Sequence, residues 1–247
     1  MESDPIYLLI DAGNSRVKWG VHDGRRWVAR GAVATAEANA IGSSWKALDG
    51  VKRATASNVA GVLVAEDLKR ACGEHGIGLT IIRSQAAQLG VANGYRDPAQ
   101  LGADRWAALI AAHHALRGHK LVVTAGTALT IDALADDGRF LGGLIVPGAA
   151  LMRRSLDRGT AGLRLAEGTY TDFPAATADA IATGAIDACT GAIARVAHRM
   201  AERGSKPDRI VLSGGAAQEI APHLPMAHAF HENLVLDGLA LIARESP

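Results

Sequence analysis

Two stretches of this chain repeat one pattern, and together they restrict the folds open to it. Near the start the sequence reads LLIDAGNSRVKWG from Leu8, and past the middle it reads LVVTAGTALTIDAL from Leu121. Each is an apolar run with the signature of a buried strand, then a turn of small residues holding Gly and polar side chains, then a second apolar segment. The match predicts that one sheet motif is built twice.

Further short strand-like runs occur at Leu79–Ile82, Leu144–Val146 and Ile210–Leu212, beside the first ones at Ile6–Ile10 and Leu121–Val123. Ala-rich segments with helical spacing separate them, so the class is α/β. From Gly102 to Leu116 the residues Trp106, Leu109, Ile110 and Ala112 form an apolar stripe; Ala176 to Ala201 forms a second long helix with Ile181, Ala185, Ile186, Cys189 and Ile193 inward. With 247 residues and 49% hydrophobic content the chain builds a sizeable core. The division is placed at 1–117 and 118–247, with Gly118 and the strand start at Lys120 as the punctuation.

Charge narrows the partners. Lys plus Arg number 26 against 25 for Asp plus Glu, which leaves no basic field for nucleic acid or an anionic membrane surface. Cys72 and Cys189 lack metal-type spacing and read as small core residues in a reducing compartment. The apolar run before Asp11 is too short for a signal peptide or a membrane span, so a cytoplasmic location is expected.

Three segments carry chemistry. Asp11 ends a strand and is followed by Ala12, Gly13, Asn14 and Ser15, with Lys18 further on. A Gly at that place lets backbone approach an anion, and the carboxylate can hold a magnesium ion on phosphate oxygens. Taken alone, this segment weighs evenly between a phosphate loop and an ordinary hairpin turn. The second segment runs Thr124, Ala125, Gly126, Thr127, Ala128, Leu129, Thr130, then Asp132, a second polar loop that could face the first across a cleft. The third is NGYRDPAQLGADRWAALIAA from Asn93, where Gly102, Asp104 and Arg105 open a helix. A kinase needs such a pair: a carboxylate to accept the proton of an attacking hydroxyl, and a cation for an anionic group. An N-terminal Asp with a surface Arg is the plain alternative.

His113 and His114 are expected mid-helix, one packing and the other facing solvent. Arg153, Arg154 and Arg158 lie at helical spacing and read first as a solvated helix face.

The duplicated hairpins resemble the actin and hexokinase superfamily, a two-lobed, ribonuclease H-like fold with a nucleotide cleft. More narrowly, GYRDPAQLGADR from Gly94 resembles the GYxxPxxLGxDR segment of type III pantothenate kinases, and Asp11–Ser15 resembles that family's DxGNT loop. The likeness continues through GTALTID from Gly126, GGLIVPG from Gly142, PAATADAIATG from Pro174, SGGAA from Ser213 and ENLVLDGL from Glu232. The ordered set runs from residue 8 to residue 240.

The resemblance implies phosphorylation of pantothenate by ATP, the first step of coenzyme A biosynthesis. It implies that Asp11 positions magnesium and that Gly13, Asn14, Ser15 and Lys18 line the ATP phosphates. Thr127 and Thr130 fall in the second phosphate loop, and Gly214 and Gly215 lie near base and ribose. Tyr95, Gly102, Arg105 and Thr177 contact pantothenate, and Asp104 is the general base. It also implies a homodimer, with Met152–Leu163 as a possible part of the contact, and a monovalent cation, potassium or ammonium. Two departures stand out. Ser15 replaces a Thr and keeps the hydroxyl, whereas Thr124 replaces the Asp tied to the monovalent cation and loses the carboxylate. The other readings are a kinase of the same superfamily with another acceptor and a non-catalytic accessory factor for transcription.

Overall fold

The computed structural model of the protein describes residues 6–160, 163 and 167–245. The chain divides into two compact units, Met1–Ala115 with Asn233–Pro247, and Leu116–Glu232.

The first unit opens with β1 (Tyr7–Ala12), β2 (Arg16–His22) and β3 (Trp27–Ala34), an antiparallel meander. A 3-10 segment, Thr35–Ala40, leads into the short α1 (Ile41–Ser44). Then β4 (Arg53–Asn58), α2 (Val62–Glu74) and β5 (Gly78–Ile81) add two parallel strands through a helical crossover, giving the order β3-β2-β1-β4-β5. A hairpin of β6 (Ala87–Gln88) and β7 (Val91–Ala92) and a 3-10 turn at Pro98–Gln100 precede α3 (Ala103–Ala115).

Side chains alternate across a strand, and that alternation sorts the residues of this sheet. Leu8, Ile10, Ala12, Val17, Trp19, Ala54 and Ala56 share one buried cluster with Leu68, Ala71 and Cys72 of α2. Leu9 and Asp11 therefore belong to the other face. There β1 pairs Asp11 with Lys18 on β2 and with Ser57 on β4. The polar residues of the strand ends are thus brought side by side at one end of the sheet.

The second unit repeats the plan. β8 (Lys120–Ala125), β9 (Ala128–Leu134) and β10 (Phe140–Pro147) form the meander, followed by α4 (Ala149–Gly159) and α5 (Thr177–Glu202). β11 (Arg209–Ser213), α6 (Ala217–Ile220) and β12 (His228–Phe230) complete it, with order β10-β9-β8-β11-β12. The antiparallel and parallel pairings match those of the first sheet strand for strand. The predicted duplication of the sheet motif is therefore present in full.

By length and composition α5 is apolar enough to cross a membrane. Its Ala185, Cys189, Ile193, Val196 and Met200 instead pack with Leu121, Val123 and Ile131 in the core of the second unit. Arg153 of α4, read as part of a solvated face, is half-buried and paired with Glu219 at 2.5 Å; Arg154 and Arg158 are exposed. An Arg beside a carboxylate at a partly dry helix contact gains more from pairing than from water.

The last helix, α7 (Leu234–Glu245), departs from the division read in the sequence, which gave everything after residue 117 to the second unit. It packs on α3, β1 and β4 of the first. Leu234, Leu236, Leu239 and Ile242 are buried there, each contributing about 1.5–3 kcal/mol by area removed from water. Hydrophobic stripes say that a helix is covered but not by which sheet. In α3 the two histidines end the helix rather than sit mid-way. His113 is half-buried beside Gly90, and exposed His114 places Nε2 2.9 Å from the Leu89 carbonyl.

Candidate active site

β1 delivers Asp11 to the start of a tight loop. Inside that loop the Gly13 amide donates to the Arg16 carbonyl at 3.1 Å, and Thr35 closes it from outside through Oγ1 to the Gly13 carbonyl at 2.7 Å and its amide to the Ser15 carbonyl at 3.1 Å. The Val59 amide donates to the Ala12 carbonyl at 3.0 Å, carrying the β1–β4 register past the strand end. Asn14 and Ser15 are exposed, and Lys18 is half-buried. The loop is therefore held by its carbonyls while its outer side chains face solvent.

Asp11 is half-buried, and the buried Ser57 hydroxyl donates to its Oδ1 at 2.9 Å. Burial pushes its carboxyl up to about 6, against the hydrogen bond from Ser57; the nearby Asp104 raises it further and Lys18 lowers it. That electrostatic link places the strand-end acid and the helix-start acid in one neighbourhood.

Asp104 lies in the first turn of α3, and its Oδ1 accepts the Arg105 amide at 2.8 Å. It is not the residue before the helix; Gly102 is in that region, its carbonyl accepting the Trp106 amide at 3.0 Å. A Cβ on Gly102 would stand 2.7 Å from Asp104 Oδ1, so glycine is what leaves room for the carboxylate. Burial raises the Asp104 pKa, opposed by the amide and guanidinium of Arg105. A carboxyl tuned upward is a better proton acceptor for a hydroxyl.

Arg105 differs from the surface cation that the sequence alone allowed. It is 5% exposed, with Nη1 donating to the Tyr95 hydroxyl at 3.0 Å and its guanidinium carbon 5.7 Å from that ring's centroid. A guanidinium is more weakly hydrated than an ammonium and is attracted to an aromatic ring, so these contacts offset part of the cost of burial. Tyr95 is itself held: the Asn93 side chain accepts the Tyr95 amide at 3.0 Å and donates to the Gln85 and Pro98 carbonyls at 3.1 and 3.2 Å. Ser84 Oγ lies 2.7 Å from both the Pro98 and the Leu101 carbonyl oxygens, which share its single proton. The Tyr95 segment is therefore fixed by short polar side chains.

The first unit thus gathers Asp11, Lys18, Ser57 and Asp104, with Gly102, Arg105 and Tyr95 at the same helix start. Sequence reading missed Ser57, because β4 (RATASN) carries no apolar run. It also left Asn93 without a role, although the residue stood inside the quoted segment.

In the second unit the matching loop is built the same way. The Gly126 amide donates to the Ala128 carbonyl at 3.0 Å, Gly148 closes on the Thr127 carbonyl at 2.9 Å, and the Ala216 amide reaches the Ala125 carbonyl at 3.0 Å. These take the places of the Gly13, Thr35 and Val59 contacts in the first unit. Gly214 has φ +101°, and a Cβ there would meet the Ala125 carbonyl at 2.2 Å; only glycine fits both demands. So Thr127, Gly214 and the exposed Gly215 border one loop, whereas Thr177 is exposed at the start of α5. Thr124 occupies the register position of Asp11, opposite Thr130 on β9 and Ser213 on β11. Asp132, two pairs further along β9, is buried. Among the described residues no three His, Cys, Asp or Glu side chains cluster as a metal cage.

The chain is similar to known proteins along nearly its whole length. The chain is 47% identical over 240 residues to a type III pantothenate kinase of Aromatoleum aromaticum, covering 97% of this chain and 98% of that one. Among solved structures, a Sinorhizobium meliloti protein described as a 2-dehydro-3-deoxygalactonokinase matches with TM-score 0.60 at 18% identity, covering 97% of this chain and 98% of that one. A Campylobacter jejuni protein described as a Baf family transcriptional activator matches with TM-score 0.61 at 22% identity over 97% and 98% of the two chains. Those two likenesses are of fold alone. The family model for type III pantothenate kinase matches residues 7–199, and the chain belongs to that family.

Proposed function

We propose that the family's reaction, ATP-dependent phosphorylation of pantothenate in coenzyme A biosynthesis, runs on this chain by in-line transfer of the γ-phosphoryl group to the pantothenate 4′-hydroxyl, with Asp104 taking the hydroxyl proton. The observation that carries this reading is the pairing at the start of α3: a carboxyl raised by burial beside a buried, oriented guanidinium. Arg105 and Tyr95 bind the acceptor, Arg105 as the cation for the pantothenate carboxylate. Gly102 leaves the space in which Asp104 turns to the hydroxyl. Loose phosphoryl-transfer transition states ask little of a base, so orientation by this rigid helix start supplies most of what Asp104 contributes.

Gly13, Asn14, Ser15 and Lys18 are assigned to the ATP phosphates, Lys18 as a point charge and the loop through its exposed polar groups. Magnesium accompanies ATP in such kinases, and Asp11 suits it: a desolvated carboxylate beside a second acid is stabilised by a cation, and the absence of an acidic cage among the described residues fits an ion carried largely by phosphate and water oxygens. When bound, the ion neutralises charge on the phosphates. In the second unit, Thr127, Gly214 and Gly215 are assigned to ATP and Thr177 to pantothenate. A potassium or ammonium ion is assigned at the loop opened by Thr124, with an affinity reduced by the missing carboxylate.

We further assign a homodimer, for which Phe173 and Ile145, 94% and 62% exposed, are apolar surface to cover. The free, buried Cys72 and Cys189 suit a reducing cytoplasm, and the near-balanced charge gives no nucleic-acid surface.

The test is direct detection of phosphopantothenate from purified protein, ATP, magnesium and pantothenate, for the wild type and two variants. Asp104→Asn is expected to bind ATP as before and lose about 100- to 10,000-fold in kcat. Arg105→Ala is expected to raise the pantothenate KM at least about tenfold. Near-wild-type turnover in the first, or unchanged pantothenate affinity in the second, removes that residue from its role.

A further inference from the structure

We propose that Ser57 is a positioning residue for nucleotide and metal binding: its hydroxyl fixes the orientation of the Asp11 carboxylate. This rests on the assignment of Asp11 to magnesium and the ATP phosphates. Ser57 is fully buried on β4, one of the two strands flanking β1, and it stands opposite Asp11 in the parallel register. Its Oγ donates to Asp11 Oδ1 at 2.9 Å. The backbone under this contact is held on both sides, by the β1–β4 ladder before it and the Val59 to Ala12 hydrogen bond after it.

The physical consequence follows from what a carboxylate lacks. Two equivalent oxygens on a freely turning bond give a cation no single geometry, and a flexible ligand loses entropy when it binds. A hydroxyl anchored in a sheet holds one oxygen, so the other is left in one place to meet a cation or a bound water. Hydrogen-bonded partners behind a metal ligand act in this way, and their loss typically weakens metal binding about 10- to 100-fold. Ser57 itself has no accessible surface, and the contact needs a donor on a short stem. The second unit keeps Ser213 at the matching position but presents Thr124, not an acid, on the strand beside it. The carboxylate-to-hydroxyl contact therefore belongs to the first unit alone.

The experiment compares Ser57→Ala and Ser57→Cys with the wild type, measuring Mn2+ binding in the presence of a non-hydrolysable ATP analogue by electron paramagnetic resonance, together with the pantothenate KM and the melting temperature. Cysteine nearly keeps the volume and loses the strong donor, so it reads the hydrogen bond even if the alanine variant folds poorly. Both variants are expected to bind the Mn2+–nucleotide about 10- to 100-fold more weakly with an unchanged pantothenate KM. Wild-type Mn2+–nucleotide affinity in a folded Ser57 variant, with or without a lower melting temperature, would overturn the proposal. Asp11→Asn measured alongside separates the two levels: if it too binds Mn2+–nucleotide normally, the assignment of Asp11 fails, and not merely that of Ser57.

Discussion

Burial holds the Asp11 carboxyl at about 6, so at neutral pH the folded protein carries a charge where water is scarce. The sign of the effect on stability follows from linkage. A carboxyl whose pKa is raised on folding binds its proton more tightly in the folded state, so stability falls as pH rises from the ordinary carboxylate range through about 6. Full ionisation there costs about 3 kcal/mol at most, reduced to about 1–2 kcal/mol by the water that reaches this half-buried group. Asp11→Asn keeps an oxygen to accept from Ser57 and removes the charge. In magnesium-free buffer it is expected to unfold at higher temperature than the wild type at pH 7.5 and at the same temperature near pH 3.5, which thermal melts at the two pH values will check. The same variant is expected to lose activity, the usual exchange between stability and a site built for a charged ligand. Asp11, Asp104 and Arg105 were legible as residues because acid, glycine and cation stood at telling positions. That Arg105 is buried against Tyr95 was not, because stacking joins side chains from two segments whose distance no spacing reports.

At the scale of elements, α3 carries the proposed base and is held in place by α7. The two helices approach so closely at Gly238 that a Cβ there would stand 2.0 Å from the Ala107 carbonyl oxygen. Gly238→Ala therefore has to push the helices apart or bend one of them. Overpacking of a core typically costs about 1–3 kcal/mol, and this contact is with backbone, which cannot change rotamer. The variant is expected to lose at least about 2 kcal/mol in urea denaturation, with kcat reduced because Asp104 moves with α3. The helix periods of α3 and α5 and the apolar runs of β1, β8 and β11 were readable from the sequence. β4 was not: four of the six residues in RATASN are polar, and it becomes an inner strand only because neighbours on both sides satisfy its backbone.

At the scale of the molecule the two sheets share one strand order and one loop construction, so their differences become informative. Asp11 and Thr124 stand at matching positions, each beside a serine, Ser57 in one and Ser213 in the other. Thr124→Asp restores to the second loop the acid that the first one has. It is expected to lower the potassium concentration needed for half-maximal activity, measured by phosphopantothenate formation in potassium-titrated, sodium-balanced buffer; an unchanged curve would place the cation elsewhere. By itself the sequence determined the α/β class, the duplicated motif and the identity of the acids and glycines, because strand runs, glycine turns and helix starts are local and leave local signatures. Only the tertiary structure decided that α7 returns to the first unit, that Ser57 meets Asp11 and that Asn93 steadies Tyr95. Those contacts join residues through sheet register and helix packing, and the free energy that selects them comes from burying surfaces that lie far apart along the chain. The repeated strand-loop-strand pattern thus named the two loops, and the register of the folded sheets showed which side chain stands behind each.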